Sequence, residues 1–155
     1  MHVQDLMAHP AITCHVNDSL DAAAQKMWDH DCGVLPVVND EGKVTSMVTD
    51  RDICMAALTQ GRPLHELLVN LAMAKHVITV GPEQTLSEAE QLMSRHQIRR
   101  LPVVDAAGCA LGVISLNDLA IEASHPDARM KNGASKIAHT LAAVCRRHVT
   151  TQQAA

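Results

Sequence analysis

An ungapped internal repeat constrains this chain more than any other feature. Residues 3–57 align with residues 69–123 at an offset of 66, and 17 of the 55 paired positions are identical. The matches include Met7 with Met73, Ile12-Thr13 with Ile78-Thr79, Leu20 with Leu86 and Met27 with Met93. They continue through His30 with His96, Leu35-Pro36-Val37-Val38 with Leu101-Pro102-Val103-Val104, Gly42 with Gly108, and Asp52 with Asp118. The period is longer than the units that stack into solenoids, and two copies do not make an array. A single duplicated unit closes by packing one copy on the other about a pseudo-two-fold axis. Function is therefore to be sought in the clefts between the halves.

Each copy has the same internal order. A short extended piece around Ile12-Thr13, or Ile78-Thr79, precedes a helix whose apolar positions recur at helical spacing: Leu20, Ala23, Ala24 and Met27, or Leu86, Ala89, Leu92 and Met93. Thr85 and Glu88 have the spacing of a capping box. Both helices end near a histidine, which suits a helix C-terminus. Strands follow at Val34–Val38 and Arg100–Val104, each with an internal proline that marks an edge or an irregular start. Glycine-ended turns lead to second strands over 44–48 and 110–114, and second helices begin just after Thr49 and Ser115. The fold class predicted is α/β, a β-α-β-β-α unit occurring twice, with a C-terminal helix. The divisions expected are 1–59 and 69–124 for the copies, 60–68 for a linker and 125–155 for a helical extension. The extension's helix, Ala134–His148, would put Ile137, Leu141, Val144, Cys145 and His148 on one face, against the module or a partner.

Composition excludes several function classes. In 155 residues, 47% apolar, the only aromatic is Trp28, so the core must be aliphatic. A net charge of −4 with no stacking aromatics argues against a nucleic-acid binder. No apolar run approaches a bilayer span and the first residues lack a secretory pattern, so the expectation is a soluble, cytoplasmic protein. Five scattered cysteines without a CxxC pair point to small buried thiols. Ten histidines invite a metal reading, with His139, Cys145 and His148 close in sequence, yet zinc-site spacing is absent and no metal is expected. No nucleophile elbow, Walker loop, metal-hydrolase motif or dinucleotide fingerprint appears, so no enzyme is expected.

Val48-Thr-Asp-Arg-Asp-Ile53 and Ile114-Ser-Leu-Asn-Asp-Leu119, each behind a Leu-Pro-Val-Val strand and a glycine turn, resemble the cystathionine-β-synthase (CBS) domain. A tandem pair of these is a Bateman module, and the resemblance covers residues 3–123. It implies a pseudo-symmetric disc with two clefts for adenosine-type ligands: AMP, ADP, ATP or S-adenosylmethionine. The ligand is regulatory and no other cofactor is implied. Such modules usually regulate an attached enzyme or channel; here only the C-terminal helix follows, so the expectation is a stand-alone sensor acting through its own homodimer or an unknown protein target.

Carried across, the family's Ser/Thr-x-x-Asp signature falls on Thr49 with Asp52 and on Ser115 with Asp118. The hydroxyl and the helix N-terminus suit a phosphate, and the carboxylate suits ribose hydroxyls. The same spacing is also an N-cap that would precede any helix. The base would lie in an aliphatic slot near Ile12, Val34, Val77, Ile78 and Leu101, with Thr13, Thr79 and Pro102 in the ligand-binding set. Arg99 and Arg100 stand at the strand entrance where the first copy has Gly33 and Val34; they serve either as phosphate contacts or as a solvated patch facing acids across a dimer. The clefts are expected to be unequal, with Ser115, Asp118 and Arg100 forming the better phosphate site. A different class remains open: a stress- or redox-related protein with vestigial clefts and a Cys14–Cys145 disulfide.

Overall fold

The computed structural model describes residues 1–124 and 133–145. The first copy supplies β1 (Cys14–His15), α1 (Leu20–Asp29), β2 (Val34–Val38), β3 (Val44–Thr49) and α2 (Asp50–Gln60). The second supplies α3 (Leu86–His96), β4 (Arg100–Val104), β5 (Ala110–Ser115) and α4 (Leu116–Ser124), after which comes α5 (Gly133–Val144). β2 pairs antiparallel with β3 and parallel with β1, and β4 pairs antiparallel with β5. The expected opening strand of the second copy shrinks to one parallel bridge, Val80 with Val103.

Local chemistry explains why both copies turn alike. Asn39 Oδ1 accepts from the N–H groups of Glu41 and Lys43, and Asp105 Oδ1 accepts from those of Ala107 and Cys109. Each turn closes on a glycine at positive φ, 76° at Gly42 and 88° at Gly108, where a Cβ is unfavourable. The capping box at α3 is present: Thr85 N–H and Oγ1–H both donate to Glu88 Oε2 at 2.7 Å.

The prolines are not at a sheet edge in the first copy, because β2 is the central strand of three. They are tolerated because the parallel pairing begins one residue later, at Cys14 with Val37. In the second copy Pro102 uses its carbonyl there instead, accepting the Val80 N–H at 3.1 Å, and no ladder bond is lost to the missing N–H.

Two cores form, one per copy, and each is completed by a segment from elsewhere in the chain. Val3 belongs to the core of α3, β4, β5 and α4, while Leu67 and Val69 belong to that of α1, β2, β3 and α2. The N-terminal segment is tied to the second copy by Val3 N–H to Gln84 O, and by Ala8 N–H to Val113 O. The segment after the linker is tied to the first copy by Val69 N–H to Asp18 O, and by Ala74 N–H to Met47 O. Ala8 comes so close that a Cβ on Gly112 would sit 2.6 Å from its carbonyl oxygen. At the matching place Ser46 is buried and its hydroxyl donates to Ala74 O. These crossings bring residues of both copies to each cleft.

α5 packs against α3 and α4 and seals the second core with Ile137 and Val144. Its buried face is Gly133, Ile137, Thr140 and Val144, a rotation away from the one expected. Leu141 is 46% exposed and Cys145 is exposed, while His148 lies outside the described residues.

Candidate functional site

Two clefts lie between the copies. The first, about 290 Å³, is lined by Thr49, Asp52, Met47 and Val34 from the first copy. From the other side come Ala74, His76, Val77, Ile78, Ile98, Arg99 and Arg100. The second, about 330 Å³, has Ser115, Asp118, Val113 and Arg100 facing Ala8, Pro10, Ala11, Ile12 and the run from His30 to Val34.

In both clefts the Ser/Thr-x-x-Asp signature is a working capping box. Asp52 Oδ2 accepts from Thr49 N–H at 2.9 Å and from Thr49 Oγ1–H at 2.7 Å, and Asp52 N–H donates to Thr49 Oγ1 at 3.2 Å. The corresponding distances at Ser115 and Asp118 are 2.8, 2.7 and 3.3 Å. The cap does not exhaust the carboxylate. One oxygen is committed, while Oδ1 of each aspartate has no partner among the described residues and stays available as an acceptor. Cap and ligand acceptor are thus compatible within one side chain.

The helix N-terminus is less available than expected. At α2, Asp50 N–H donates to Gly33 O at 3.3 Å, Arg51 N–H to Asp50 Oδ1 at 2.7 Å, and Asp52 N–H to Thr49 Oγ1. At α4, Leu116 N–H is taken by Arg99 O and Asp118 N–H by Ser115 Oγ. The cations are what remain for an anion. Neither the Arg99 nor the Arg100 guanidinium has a hydrogen-bond or ion-pair partner among the described residues.

Their placement distinguishes the two clefts. Arg100 lines both, but Arg99 lines the Thr49 cleft. That cleft combines Arg99, Arg100 and His76 with one carboxylate, Asp52, whereas the Ser115 cleft sets Arg100 and His30 against Asp31 and Asp118. A phosphate is better matched by the first set, since like charge at the mouth disfavours an anion.

Of the remaining expected residues, Val34 lines both clefts, Val77 and Ile78 line the Thr49 cleft, and Ile12 lines the Ser115 cleft. Leu101 and Pro102 are buried within β4 and line neither. Thr13 and Thr79 line neither as well; the Thr13 carbonyl accepts from Lys26 Nζ at 3.1 Å. The expectations omit Met47, Ala74, His76 and Ile98 on one side and Ala8, Pro10 and Ala11 on the other. A usable signal was the identity of Ala8 with Ala74, which follows the matched methionines.

The proposed disulfide is not formed. Cys14 is buried in the first core, and Cys145 is exposed at the end of a helix that packs on the second. Burial pushes the Cys14 thiol up to about 11, with Lys26 opposing that rise, so it is a neutral core group at physiological pH. Among the described residues no group of three or more His, Cys, Asp or Glu side chains could hold a metal ion. No described helix is long and apolar enough to cross a membrane.

A duplicated α/β unit with small clefts built jointly by both copies defines a paired regulatory module. The chain belongs to the CBS domain family, which it matches over residues 3–59 and 67–124. It is 38% identical over 119 residues to the CBS domain-containing protein YhcV of Bacillus subtilis, covering 77% of this chain and 83% of that protein. An inosine-5′-monophosphate dehydrogenase of Korarchaeum cryptofilum is 35% identical over 123 residues, but the match spans only 24% of that enzyme. Among solved structures, the CBS domain pair of protein MJ0100 in complex with 5′-methylthioadenosine and S-adenosyl-L-methionine superposes with a TM-score of 0.70. The two are 29% identical, over 78% of this chain and 94% of that one.

Proposed function

We propose that this protein is a regulatory sensor of an adenosine-type ligand, bound in the Thr49–Asp52 cleft and carrying phosphate or a comparable anionic group. The observation that carries the proposal is the pairing, across one apolar slot, of a free carboxylate oxygen with two unpartnered guanidinium groups from the other copy. Asp52 Oδ1 accepts the ribose hydroxyls, Arg99 and Arg100 take the anion, and Val34, Met47, Val77, Ile78 and Ile98 sandwich the base. The adenosyl ligands of the MJ0100 pair favour this class of small molecule. The ligand is held, not converted, and the protein is not an enzyme.

The output passes through a homodimer. Met55 and Leu58 on α2 and Ile121 on α4 are exposed apolar side chains, and Met55 and Ile121 occupy matching positions of the two copies. A two-fold partner covers both helices at once. Calorimetric titration with AMP, ADP, ATP, S-adenosylmethionine and 5′-methylthioadenosine tests the ligand, and saturable binding by none of them refutes the sensor. Light scattering at micromolar concentration tests the dimer, which a monomer mass overturns.

A further inference from the structure

The two copies differ in what covers their helices. On the second copy, α5 lies over the seam between α3 and α4. The matching seam of the first copy, between α1 and α2, carries no such helix among the described residues and forms an open groove lined by Ala24, Met27, Trp28, Asp31, Asp50 and Ile53. These are the positions of Glu90, Met93, Ser94, Gln97, Leu116 and Leu119, at the repeat offset of 66. Met93 and Leu119 are 0% exposed beneath α5, whereas Met27 and Ile53 keep 6% and 5%. Trp28, the chain's one aromatic residue, stands 84% exposed on the rim.

The seated α5 also indicates what a second helix would have to look like. It runs alongside α3 in the same direction: Lys136 lies near Glu90, and Gln97 Nε2 donates to Ala143 O at 3.3 Å near the helix end. Its contact stripe is small and aliphatic, Gly133, Ile137, Thr140 and Val144. In the first copy the place of Gln97 is taken by Asp31 and that of Leu116 by Asp50. A helix seated the same way would bring its last turn against two carboxylates, where lysine or arginine is favoured by charge and by the helix dipole. In the sequence, α5's residues are followed by Arg146 and Arg147, so a peptide from this chain already has that chemistry.

We infer that the α1–α2 groove is a docking site for an amphipathic helix of a partner protein, with a small aliphatic stripe and basic residues at its C-terminal end. Trp28 closes along the flank of that helix and supplies the aromatic anchor on which such interfaces concentrate their energy. The site adjoins the Ser115 cleft, with which it shares Asp31, Cys32 and Gly33, and is separate from the Thr49 cleft and from the exposed side chains of Met55, Leu58 and Ile121.

The test is calorimetric titration of the whole protein with an acetylated peptide of residues 133–147 carrying Cys145→Ser. Saturable micromolar binding is expected. Trp28→Ser, which installs the second copy's residue, weakens it about ten-fold. Replacing both peptide arginines by glutamate weakens it about ten-fold. Absence of saturable binding at millimolar peptide, or binding unchanged by Trp28→Ser, overturns the proposal. So does a wild-type dimer that Trp28→Ser converts to monomer, because the groove then belongs to a second copy.

Discussion

Replacing Asp52 separates its two tasks. In Asp52→Ala the acceptor for Thr49 N–H and Oγ1–H disappears together with the free oxygen that faces the cleft. Thr49 still caps the helix by accepting the residue-52 N–H, so the stability cost is that of half a capping box, about 1 kcal/mol. For a chain of this size such a loss lowers Tm by about 2–4 °C. Ligand binding suffers more, because a charge-assisted bond is worth about 1.5–3 kcal/mol, or roughly 10- to 150-fold in Kd. Asp52→Asn is the discriminating variant. Its amide oxygen can take the Oδ2 role and accept both Thr49 bonds, which leaves an NH2 donor where Oδ1 was. Stability should then stay within about 0.5 kcal/mol of wild type while affinity drops nearly as far as in the alanine variant. Urea denaturation and calorimetric titration with the panel ligand that binds wild type measure the two effects. An Asn variant with wild-type affinity would remove Asp52 from the ligand site and leave it a cap alone.

Ile137→Ala should cost about 2–4 kcal/mol by urea denaturation and Leu141→Ala less than about 0.5, because the first side chain is buried where α5 packs on the second core and the second is largely exposed. Equal costs would refute the observed rotation of that helix. Cys14 should resist iodoacetamide at pH 8 in the folded protein while exposed Cys54 and Cys145 react, as followed by intact mass. Its folded pKa lies above that of an ordinary thiol, so the unfolded chain releases the proton first and stability should fall as pH rises from about 9 to 11; a Cys14→Ala protein should lack that part of the decline. Glu90 is buried, its Oε1 has no hydrogen-bond partner among the described residues, and desolvation raises its pKa, with Lys136 opposing the rise. A raised carboxyl favours the folded state below the unfolded pKa and loses that advantage as pH climbs through the folded one. Glu90→Gln should therefore gain in melting temperature over wild type at neutral pH and lose that gain under acid conditions; a gain that does not vary with pH would contradict the assignment.

Much of the fold could be read from residues because local chemistry repeats. Strands at Val34–Val38 and Arg100–Val104 fall where expected, since β-branched runs are bounded by a helix end and an Asx-glycine turn in both copies. What escaped was non-local. Val3 and Val69 look like the first residues of their own copies, yet each packs in the other's core, a choice no local preference encodes. For the same reason Arg99 lines the cleft of Thr49 and Asp52 and not that of the signature on its own copy. Leu101 is apolar and follows the arginine pair, so the sequence suggests it for the slot, but strand alternation turns it into the core. On α5, a helix rich in alanine offers several faces of similar apolarity, so the buried stripe is decided by α3 and α4.

Backbone amide chemical-shift mapping, with AMP, ATP and S-adenosylmethionine added in turn to the intact protein, tests the ligand assignment most directly. For the ligand that binds, saturating perturbations are predicted at Thr49–Asp52, His76–Ile78 and Ile98–Arg100, three segments that meet in the cleft between the copies. Perturbations confined to the Ser115–Asp118 side, or none with any of the three, would contradict the placement of the ligand between Asp52 and the arginine pair.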